Sequence, residues 1–519
     1  MTKKLAIAFF LMGSVLFIQM GQITRPYSGH FASYQANGLA SIARNMLREN
    51  FSEWYLPKTD MIVGGKRSLH LNAYPFPSLF AAIGIKVLGG TLEFWGRFQA
   101  IFFNLLCILL VGWVAGRWFN PKVGWAAAAV YAFSPFALIY GQGFFFEPSS
   151  LFFLLLSIFL ITGISEKEPG SAAIFLSGLF FSVAVTERLH FVLLYPALLL
   201  HLFIRGGRTN MFKLLLFTLP AFAMPVSWYA YTYYAALHAR NVHTNLFLQA
   251  TVRVWQDKPL LLSLPYYLRL FDIVSGIMLT PLLFFFPGWG LLTLNKQGRP
   301  FWILASYLFS GSLIVLLAPE KMMEQDFYLA GIFPFLAMAA GLGLVRVWEM
   351  GMFQKKAILI FGSLILYLGV SSRYFLHPIF KGSENIGAVM QAAQTIQTYT
   401  NSSDFLVVAG KEPTLLAYYA DRPHWVMNFG SVGRTLQPYH KAYRFSGNDP
   451  TEFEGLEAAM KDPVSWVEFF KKQGAKYFAT APRKDFESTP VLLEYLREHA
   501  QIISQEKDDF YLFRLEASP

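Results

Sequence analysis

One carboxylate stands out in this sequence because of its apolar surroundings. Glu147 follows three phenylalanines in segment 141–148 and precedes a proline that opens an apolar run. An acid before proline is favourable at the start of a helix, so capping the helix is one explanation. A carboxylate held among aromatic rings is also expected to have a perturbed pKa, as catalytic residues and metal ligands do. We predict that Glu147 is catalytic, and a divalent metal ion, if one is required, is expected there.

A histidine near the beginning of the chain is the second catalytic candidate. His30 lies a few residues after the first apolar run and just before a helical pattern. A lone loop histidine is usually a surface or packing residue, but its ordinary pKa near neutrality suits a general base. We therefore predict His30 as a second catalytic residue.

Other polar residues lie, like His30 and Glu147, in predicted loops between the apolar runs. Basic side chains at the ends of apolar runs suit a phosphate group at the membrane surface, and snorkelling to the interface explains them equally well. On this basis Arg188, Arg253, Lys258 and Lys321 are predicted to bind substrate. Further predicted substrate-binding residues are Tyr34, Arg44, His70 and Asn72, which share a loop with His30, and His243 in a later loop.

The elements that must position these residues are long apolar runs. The chain is 55% hydrophobic and only 14% charged, with a mean hydropathy of +0.40, as expected of a membrane protein. Its single cysteine, Cys107, excludes an intramolecular disulfide. About eleven runs are long enough to cross a hydrocarbon core of ~30 Å. The predicted spans are roughly 5–22, 98–116, 123–140, 149–165, 171–186, 189–204, 212–230, 272–294, 301–318, 327–345 and 357–374.

The distribution of basic residues predicts the topology. Lysine and arginine are concentrated in alternate connectors, which places the N-terminus in the cytoplasm and the C-terminal tail outside. Because these basic residues orient the protein in the membrane, the net charge of +11 does not require a nucleic-acid partner. The short apolar segment 76–90 is predicted to be interfacial or re-entrant, because a further crossing would turn the later basic loops outward. The segments predicted to share the outer face are 23–97, 141–148, 187–188, 231–271 and 319–326.

The composition divides the chain into two predicted domains. Residues 1–375 form the transmembrane domain, whose long first outer loop, 23–97, contains an amphipathic helix at 36–47. Residues 376–519 have ordinary charge content and alternate strand-like with helical patterns, which predicts an extracytoplasmic α/β domain. Its predicted strands are 405–409, 425–429, 477–481 and 510–515, and its predicted helices are 384–399, 412–420, 463–473 and 488–499.

The order of several motifs resembles the GT-C membrane glycosyltransferases. The similarity is to the family 39-like group, which includes protein O-mannosyltransferases and lipid A aminoarabinose transferases. It covers most of residues 1–375 and, more loosely, the tail. The motifs that carry it are His30–Gln35, Ile42–Leu47, Asn72–Pro77, Leu88-Gly89-Gly90, Gly96-Arg97, Phe146-Glu147-Pro148 and Phe327-Tyr328 through Pro334.

The resemblance implies a reaction and adds one residue to the predicted site. A sugar would pass from a polyprenyl-phosphate donor to a lipid, glycan or protein acceptor of the envelope, at the outer face of a bacterial inner membrane. Glu147 matches the acid of the family's second loop, and Tyr328 is added as a substrate-binding residue. His30-Phe31 stands where the family usually has an aspartate, and Asn72 to Pro75 stand where aminoarabinose transferases have Glu-Lys-Pro.

Other kinds of protein remain as alternatives. A lipid-linked-sugar flippase or transporter would show ionisable residues near mid-span and internal two-fold symmetry, and the sequence has few of the former and none of the latter. A noncatalytic GT-C-like scaffold would explain the absence of the first-loop aspartate. An enzyme that ligates whole glycans onto lipid A would normally have its long loop late in the chain.

Overall fold

The computed structural model divides the chain into two compact units. Unit 1 comprises Met1–Ile23, Gly96–Tyr229 and Leu248–Pro378, and unit 2 comprises Thr24–Trp95, Ala230–Phe247 and Ile379–Pro519. The described residues are 2–28, 31–63, 65–163, 168–206, 211–239, 242–245, 258–296, 298–350, 366–367, 370, 385–410, 413–427, 462–487, 489–504 and 508–515.

Most of the described chain is helical. Apolar composition over long stretches leaves the backbone only intrahelical partners in a membrane, so these stretches form helices. Up to residue 206 the helices are α1 Thr2–Met20, α2 Ser41–Arg48, α3 Phe76–Leu88, α4 Leu92–Trp118, α5 Pro121–Phe133, α6 Pro135–Tyr140, α7 Glu147–Thr162, α8 Ser171–Glu187 and α9 Tyr195–Gly206. The later helices are α10 Met211–His238, α11 Leu264–Asp272, α12 Phe286–Leu292, α13 Arg299–Leu317, α14 Pro319–Glu324, α15 Phe333–Glu349, α16 Ile386–Tyr399, α17 Pro413–Ala420, α18 Pro463–Lys472, α19 Arg483–Glu487 and α20 Pro490–His499.

Within the described residues, three helices are long and apolar enough to cross a membrane unaided: α4, α10 and α13. Shorter apolar helices accompany them, among them α7 and α8. The helical, polytopic membrane class predicted from the sequence is confirmed by this architecture together with the fold comparisons below. The predicted span 357–374 lies almost entirely outside the described residues.

The predicted span 272–294 is not one continuous helix. A π-helical turn at Ile273–Met278 is separated from α12 by Thr280, which has a left-handed φ of 67°. Pro281 follows Thr280, and a residue before proline is disfavoured in the helical conformation. Hydropathy identified the apolar stretch correctly, but it could not predict that the helix is interrupted before Pro281.

Helices of unit 1 approach one another closely at small residues. A Cβ on Gly124 in α5 would lie 2.4 Å from the carbonyl oxygen of Gly112 in α4. A Cβ on Gly341 in α15 would lie 2.5 Å from the backbone nitrogen of Ala127. Small residues of this kind allow tight helix packing where apolar burial alone gives little preference between helix and lipid.

Unit 2 is built around one eight-stranded mixed sheet. The spatial order of its strands is β3-β2-β1-β5-β4-β6-β8-β7, so strands distant in sequence are neighbours. The pairs β2–β3, β1–β5, β4–β5 and β4–β6 are parallel, and β1–β2, β6–β8 and β7–β8 are antiparallel. The strands are β1 Lys58–Val63, β2 Lys66–Leu71, β3 Val242–Asn245, β4 Phe405–Ala409, β5 His424–Met427, β6 Ala475–Thr480, β7 Ala500–Ile502 and β8 Tyr511–Leu515.

The tail follows the predicted pattern, and the long loops extend it. All four predicted tail strands and all four predicted helices are present within a few residues of their expected bounds. The sequence did not predict β1 and β2 in the first outer loop, nor β3 in the loop after α10. These strands complete the tail's sheet, so the compact units differ from the predicted division at residue 375.

A buried aspartate binds three arginines of the first loop, and one of these arginines also binds the tail within unit 2. Asp60 in β1 is 1% exposed and binds Arg44 at 2.6 Å, Arg48 at 2.9 Å and Arg67 at 3.2 Å. Arg44 also binds Asp421 of the tail, at 2.9 Å. Burial alone would raise the pKa of Asp60, but the three guanidinium groups outweigh burial and lower the pKa to about 2.

Unit 2 is expected to lose stability in mild acid because of His424. This residue lies fully buried in β5, and burial lowers its pKa to about 4, below the ordinary value of 6.5. Between pH 6.5 and pH 4, His424 is protonated in the unfolded chain but stays neutral in the folded chain. Stability therefore falls as pH falls from 6.5 toward 4. The free energy of unfolding contributed by His424 should drop by about 3 kcal/mol across this interval.

Thermal unfolding of the full chain in detergent at pH 7 and pH 4.5 tests this expectation. The variant His424→Gln should lose less stability on acidification than the wild-type chain, since glutamine does not titrate. His499→Gln is the matched control, because His499 is exposed on α20. Equal acid sensitivity of the wild type and His424→Gln would contradict the expectation.

Candidate active site

The ends of several helices of unit 1 meet around Glu147. Helix α6 ends at Tyr140, a six-residue turn follows, and α7 begins at Glu147 itself. Helix α8 ends at Glu187, and a 3-10 turn at Asp326–Leu329 precedes α15. The position predicted for Glu147, at the opening of an apolar helix, is confirmed.

The turn before α7 is fixed by close packing. A Cβ on Gly141 would lie 2.3 Å from both the carbonyl oxygen of Ala137 and Nδ2 of Asn104. A Cβ on Gly96 would lie 2.4 Å from the ring of Phe144. Both positions therefore require glycine. The close packing at these two glycines fixes the turn that precedes Glu147 at the start of α7.

Glu147 forms a buried ion pair with Arg188. The Glu147 side chain is 0% exposed, and its Oε1 accepts a hydrogen bond from the Arg188 guanidinium. The guanidinium carbon also lies 4.9 Å from the ring centroid of Phe146 and 4.7 Å from that of Phe327. A charged hydrogen bond and two cation–π contacts hold Arg188 in one orientation.

Two further acids lie beside this pair, and we refer to Glu147, Glu187, Arg188 and Asp326 as the Glu147 cluster. Glu187 is 1% exposed and accepts a hydrogen bond from the Ser149 hydroxyl. Asp326 is 2% exposed and accepts one from the Tyr140 hydroxyl. Glu147 interacts electrostatically with Asp326, and Glu187 with Arg188.

Some oxygens of the cluster are buried with unused hydrogen-bonding capacity. Oε2 of Glu147 and Oε1 of Glu187 have no hydrogen-bond partner in the part of the chain that the structure describes. Buried carboxylate oxygens without partners are costly, and in native proteins they are usually satisfied by water or by a bound group. The cluster therefore has the properties of a polar binding site.

One edge of the cluster is accessible. The Arg188 side chain retains 10% of its surface, and His190 and Tyr328 are both half-buried. The rings of His190 and Tyr328 face each other with centroids 5.2 Å apart. Nε2 of His190 has no hydrogen-bond partner among the described residues. A substrate would meet Arg188, His190 and Tyr328 before it met the acids.

The structure places the other predicted residues as follows. In unit 2, Tyr34 lies in a π-helix at Tyr34–Ala40, His70 in β2, and Asn72 just after β2, with its buried Oδ1 lacking a described partner. Arg44 stacks 4.3 Å from the Tyr418 ring and binds two carboxylates, which favours a structural role. In unit 1, Lys321 is half-buried in α14.

Four predicted residues cannot be placed in the same way. His30 and Arg253 lie outside the described residues. His243 falls within β3 and Lys258 begins a 3-10 turn at Lys258–Leu262, and their side chains lie outside the described part of the structure. Their predicted roles stay predictions.

The metal ion predicted as possible at Glu147 stays a prediction. The described residues contain no group of three or more histidine, cysteine, aspartate or glutamate side chains placed to hold an ion. Moreover, one oxygen of Glu147 is already bound by Arg188.

Sequence analysis missed several residues of the site. It placed segments 187–188 and 319–326 on the outer face without assigning a role to Glu187 or Asp326, and it did not single out Tyr140 or His190. A signal was available for Asp326, because an acid at the end of an apolar run is costly and usually functional. No local signal marked Tyr140, which is one aromatic residue among many.

Comparisons with known proteins support the similarity that the motifs suggested. A family model described as dolichyl-phosphate-mannose-protein mannosyltransferase matches residues 72–229, a segment that includes both Glu147 and Arg188. No curated protein sequence matches the chain.

Solved structures share the fold over almost the whole chain. ArnT from Cupriavidus metallidurans, bound to undecaprenyl phosphate, has a TM-score of 0.63 at 14% identity, covering 98% of both chains. The Archaeoglobus fulgidus oligosaccharyltransferase complexed with Zn and sulfate has a TM-score of 0.61 at 13% identity, covering 97% of this chain and 72% of that one. Arabinofuranosyltransferase AftD from Mycobacteria has a TM-score of 0.58 at 14% identity, covering 98% and 41%. The chain thus has the GT-C fold of membrane glycosyltransferases, as the sequence predicted.

Proposed function

We propose that this chain, which has the GT-C fold, transfers a sugar from a polyprenyl-phosphate carrier to an envelope acceptor. The acceptor is a lipid, a glycan or a protein, and the reaction takes place at the outer face of a bacterial inner membrane. The fold is shared with a transferase crystallised with undecaprenyl phosphate and with an oligosaccharyltransferase determined with dolichol-phosphate and an inhibitory peptide. The matching family model spans the segment that holds Glu147 and Arg188.

The observation that carries this proposal is the mixed charge of the Glu147 cluster. Glycosyl transfer from a phosphate carrier separates charge, because the sugar carbon becomes positive while the departing phosphate becomes more negative. Buried carboxylates stabilise the positive centre, and an oriented guanidinium stabilises the phosphate. A site with both kinds of group, in a poorly hydrated environment, suits that transition state better than it suits passage of an intact lipid.

The residues take distinct roles in this proposal. Arg188 binds the carrier phosphate, because it is the charged member of the cluster with exposed surface. Glu147, which has no exposed surface, holds Arg188 in place. His190 joins His30 as a candidate base for the acceptor hydroxyl, since its Nε2 lacks a described partner. Tyr328 and Lys321 border the substrate.

Transfer can be tested with the purified full-length protein in lipid nanodiscs. Polyprenyl-phosphate sugars are supplied with an envelope extract as acceptor, and mass spectrometry follows the sugar. We expect new glycoconjugates with the wild-type chain and none with Glu147→Gln or His30→Ala. Normal transfer by both variants would contradict the site assignment. Movement of donor across vesicles without acceptor would favour the flippase alternative, and neither transfer nor movement would favour a scaffold.

The predicted topology and the requirement for a metal ion are tested with the same preparation. Cysteine-accessibility labelling at residue 30, at residue 190 on the accessible edge of the Glu147 cluster and in the C-terminal tail should place all three on the extracytoplasmic face. Labelling of residues 30 and 190 from opposite faces would contradict the predicted topology. Activity that is lost in EDTA and restored by a divalent cation would support a metal ion bound at Glu147.

A further inference from the structure

A second site lies in unit 1, away from the Glu147 cluster. A cavity of about 500 Å³ opens between α1, α4, α5 and α7. Its walls are almost entirely apolar and include Leu11, Ile108, Trp113, Trp125 and Phe159. The volume is in the range of pockets that bind small molecules, and such walls favour a hydrocarbon ligand over a polar one.

The cavity is at the opposite end of α7 from the proposed reaction. Phe159, which lines it, lies about 18 Å from Glu147 along α7 at a rise of 1.5 Å per residue. The same end of α7 is contacted by Trp118, whose indole nitrogen donates to Thr162 at 3.2 Å, and by Arg205. This is the end at which the sequence predicts the basic, cytoplasmic connectors.

One charged residue stands at the mouth of the cavity. Among the described residues that line it, Arg117 alone is charged, and its side chain is exposed in the last turn of α4. Its guanidinium carbon lies 5.9 Å from the ring centroid of Trp113. The helix dipole makes a basic residue favourable at this position, but the dipole does not explain the apolar cavity beside it.

We propose that this cavity binds an anionic phospholipid, with an acyl chain between the helices and the phosphate at Arg117. Arginine pairs strongly with phosphate oxygens. Tryptophans such as Trp113 and Trp125 are typical of the level at which lipid headgroups begin. Anionic lipids are also attracted to the basic side of a membrane protein. The apolar walls exclude a soluble anion. A cation at the headgroup favours a lipid with net negative charge over one whose phosphate is neutralised by its own ammonium group.

Native mass spectrometry of the full-length protein in detergent tests this assignment. Phosphatidylglycerol and phosphatidylcholine with identical acyl chains are titrated separately. We expect the wild-type chain to retain phosphatidylglycerol with about tenfold higher affinity, because the ammonium group of phosphatidylcholine competes with Arg117 for the lipid phosphate. Arg117→Gln should reduce that preference to near unity.

Two variants make the result specific to the cavity. Lys122→Gln removes one nearby positive charge outside the cavity lining, and it should keep the preference for phosphatidylglycerol. Ala8→Phe fills the cavity from α1 without changing the charge, and it should weaken binding of both lipids. Thermal unfolding confirms that each variant is folded.

Several outcomes would overturn the proposal. These are equal binding of the two lipids by the wild-type chain, equal effects of Arg117→Gln and Lys122→Gln, and unchanged binding by Ala8→Phe. Displacement of phosphatidylglycerol by equimolar undecaprenyl phosphate would assign the cavity to an isoprenoid instead. Because the readout is lipid binding, it is independent of whether the chain transfers a sugar.

Discussion

Replacing Arg188 with glutamine is expected to lower kcat/KM for sugar transfer by about 100- to 1000-fold, the effect of removing one preorganised transition-state donor. Arg188 is held by Glu147 and by the rings of Phe146 and Phe327, so it need not reorganise when the phosphate departs. Arg188→Lys should recover little activity, because an ammonium group cannot make the same planar, forked contacts.

Folding and catalysis must be separated in this experiment. Arg188→Gln leaves Glu147 as a buried charge without its counter-ion, which costs about 3–5 kcal/mol. The double variant Glu147→Gln/Arg188→Gln removes both charges and should recover most of that stability. If the Glu147–Arg188 pair acts in transfer, the double variant is folded and still inactive.

Arg346→Gln is a matched control for the loss of one arginine. Arg346 makes an exposed ion pair with Glu349 at 3.1 Å, so its removal should change both stability and transfer little. Full activity of the folded double variant would show that the pair is only structural, and the proposed phosphate contact would be lost.

Replacing Asp60 with asparagine is expected to destabilise unit 2 by about 3–5 kcal/mol, the cost of breaking a buried ion pair. Asparagine keeps the shape of the side chain but leaves Arg44, Arg48 and Arg67 facing one another without the carboxylate that binds all three. These arginines connect α2 and β2 to the strand that holds Asp60, so the first-loop part of the sheet should open first.

Thermal unfolding and limited proteolysis of the full-length protein measure this effect. Glu53→Gln is the control in the same unit, because Glu53 is 43% exposed in its pair with Lys58 and should contribute under about 1 kcal/mol. Asp60→Asn should expose new cleavage sites near β1 and β2, while Glu53→Gln should not. An unchanged unfolding temperature and cleavage pattern for Asp60→Asn would contradict the interpretation.

The strands of unit 2 illustrate what local patterns can predict. The tail strands are short apolar runs between turn residues, and their alternation with helices predicted an α/β domain directly. Strands β1 and β2 include Lys58, Lys66 and Arg67 and have no such signature. They pair with each other as an antiparallel hairpin, and β1 also pairs in parallel with β5 of the tail, a partner hundreds of residues away in the chain.

The sequence by itself determined the class of protein, the helical elements and the position of Glu147 at a helix start. These features follow from the local periodicity and length of apolar runs, which must avoid water and satisfy their own backbone. Only the tertiary structure decided that Arg188, Glu187 and Asp326 gather around Glu147, and that Arg44 pairs with Asp60. Such pairings depend on which helix and strand ends become neighbours, and no local pattern in the chain encodes that choice.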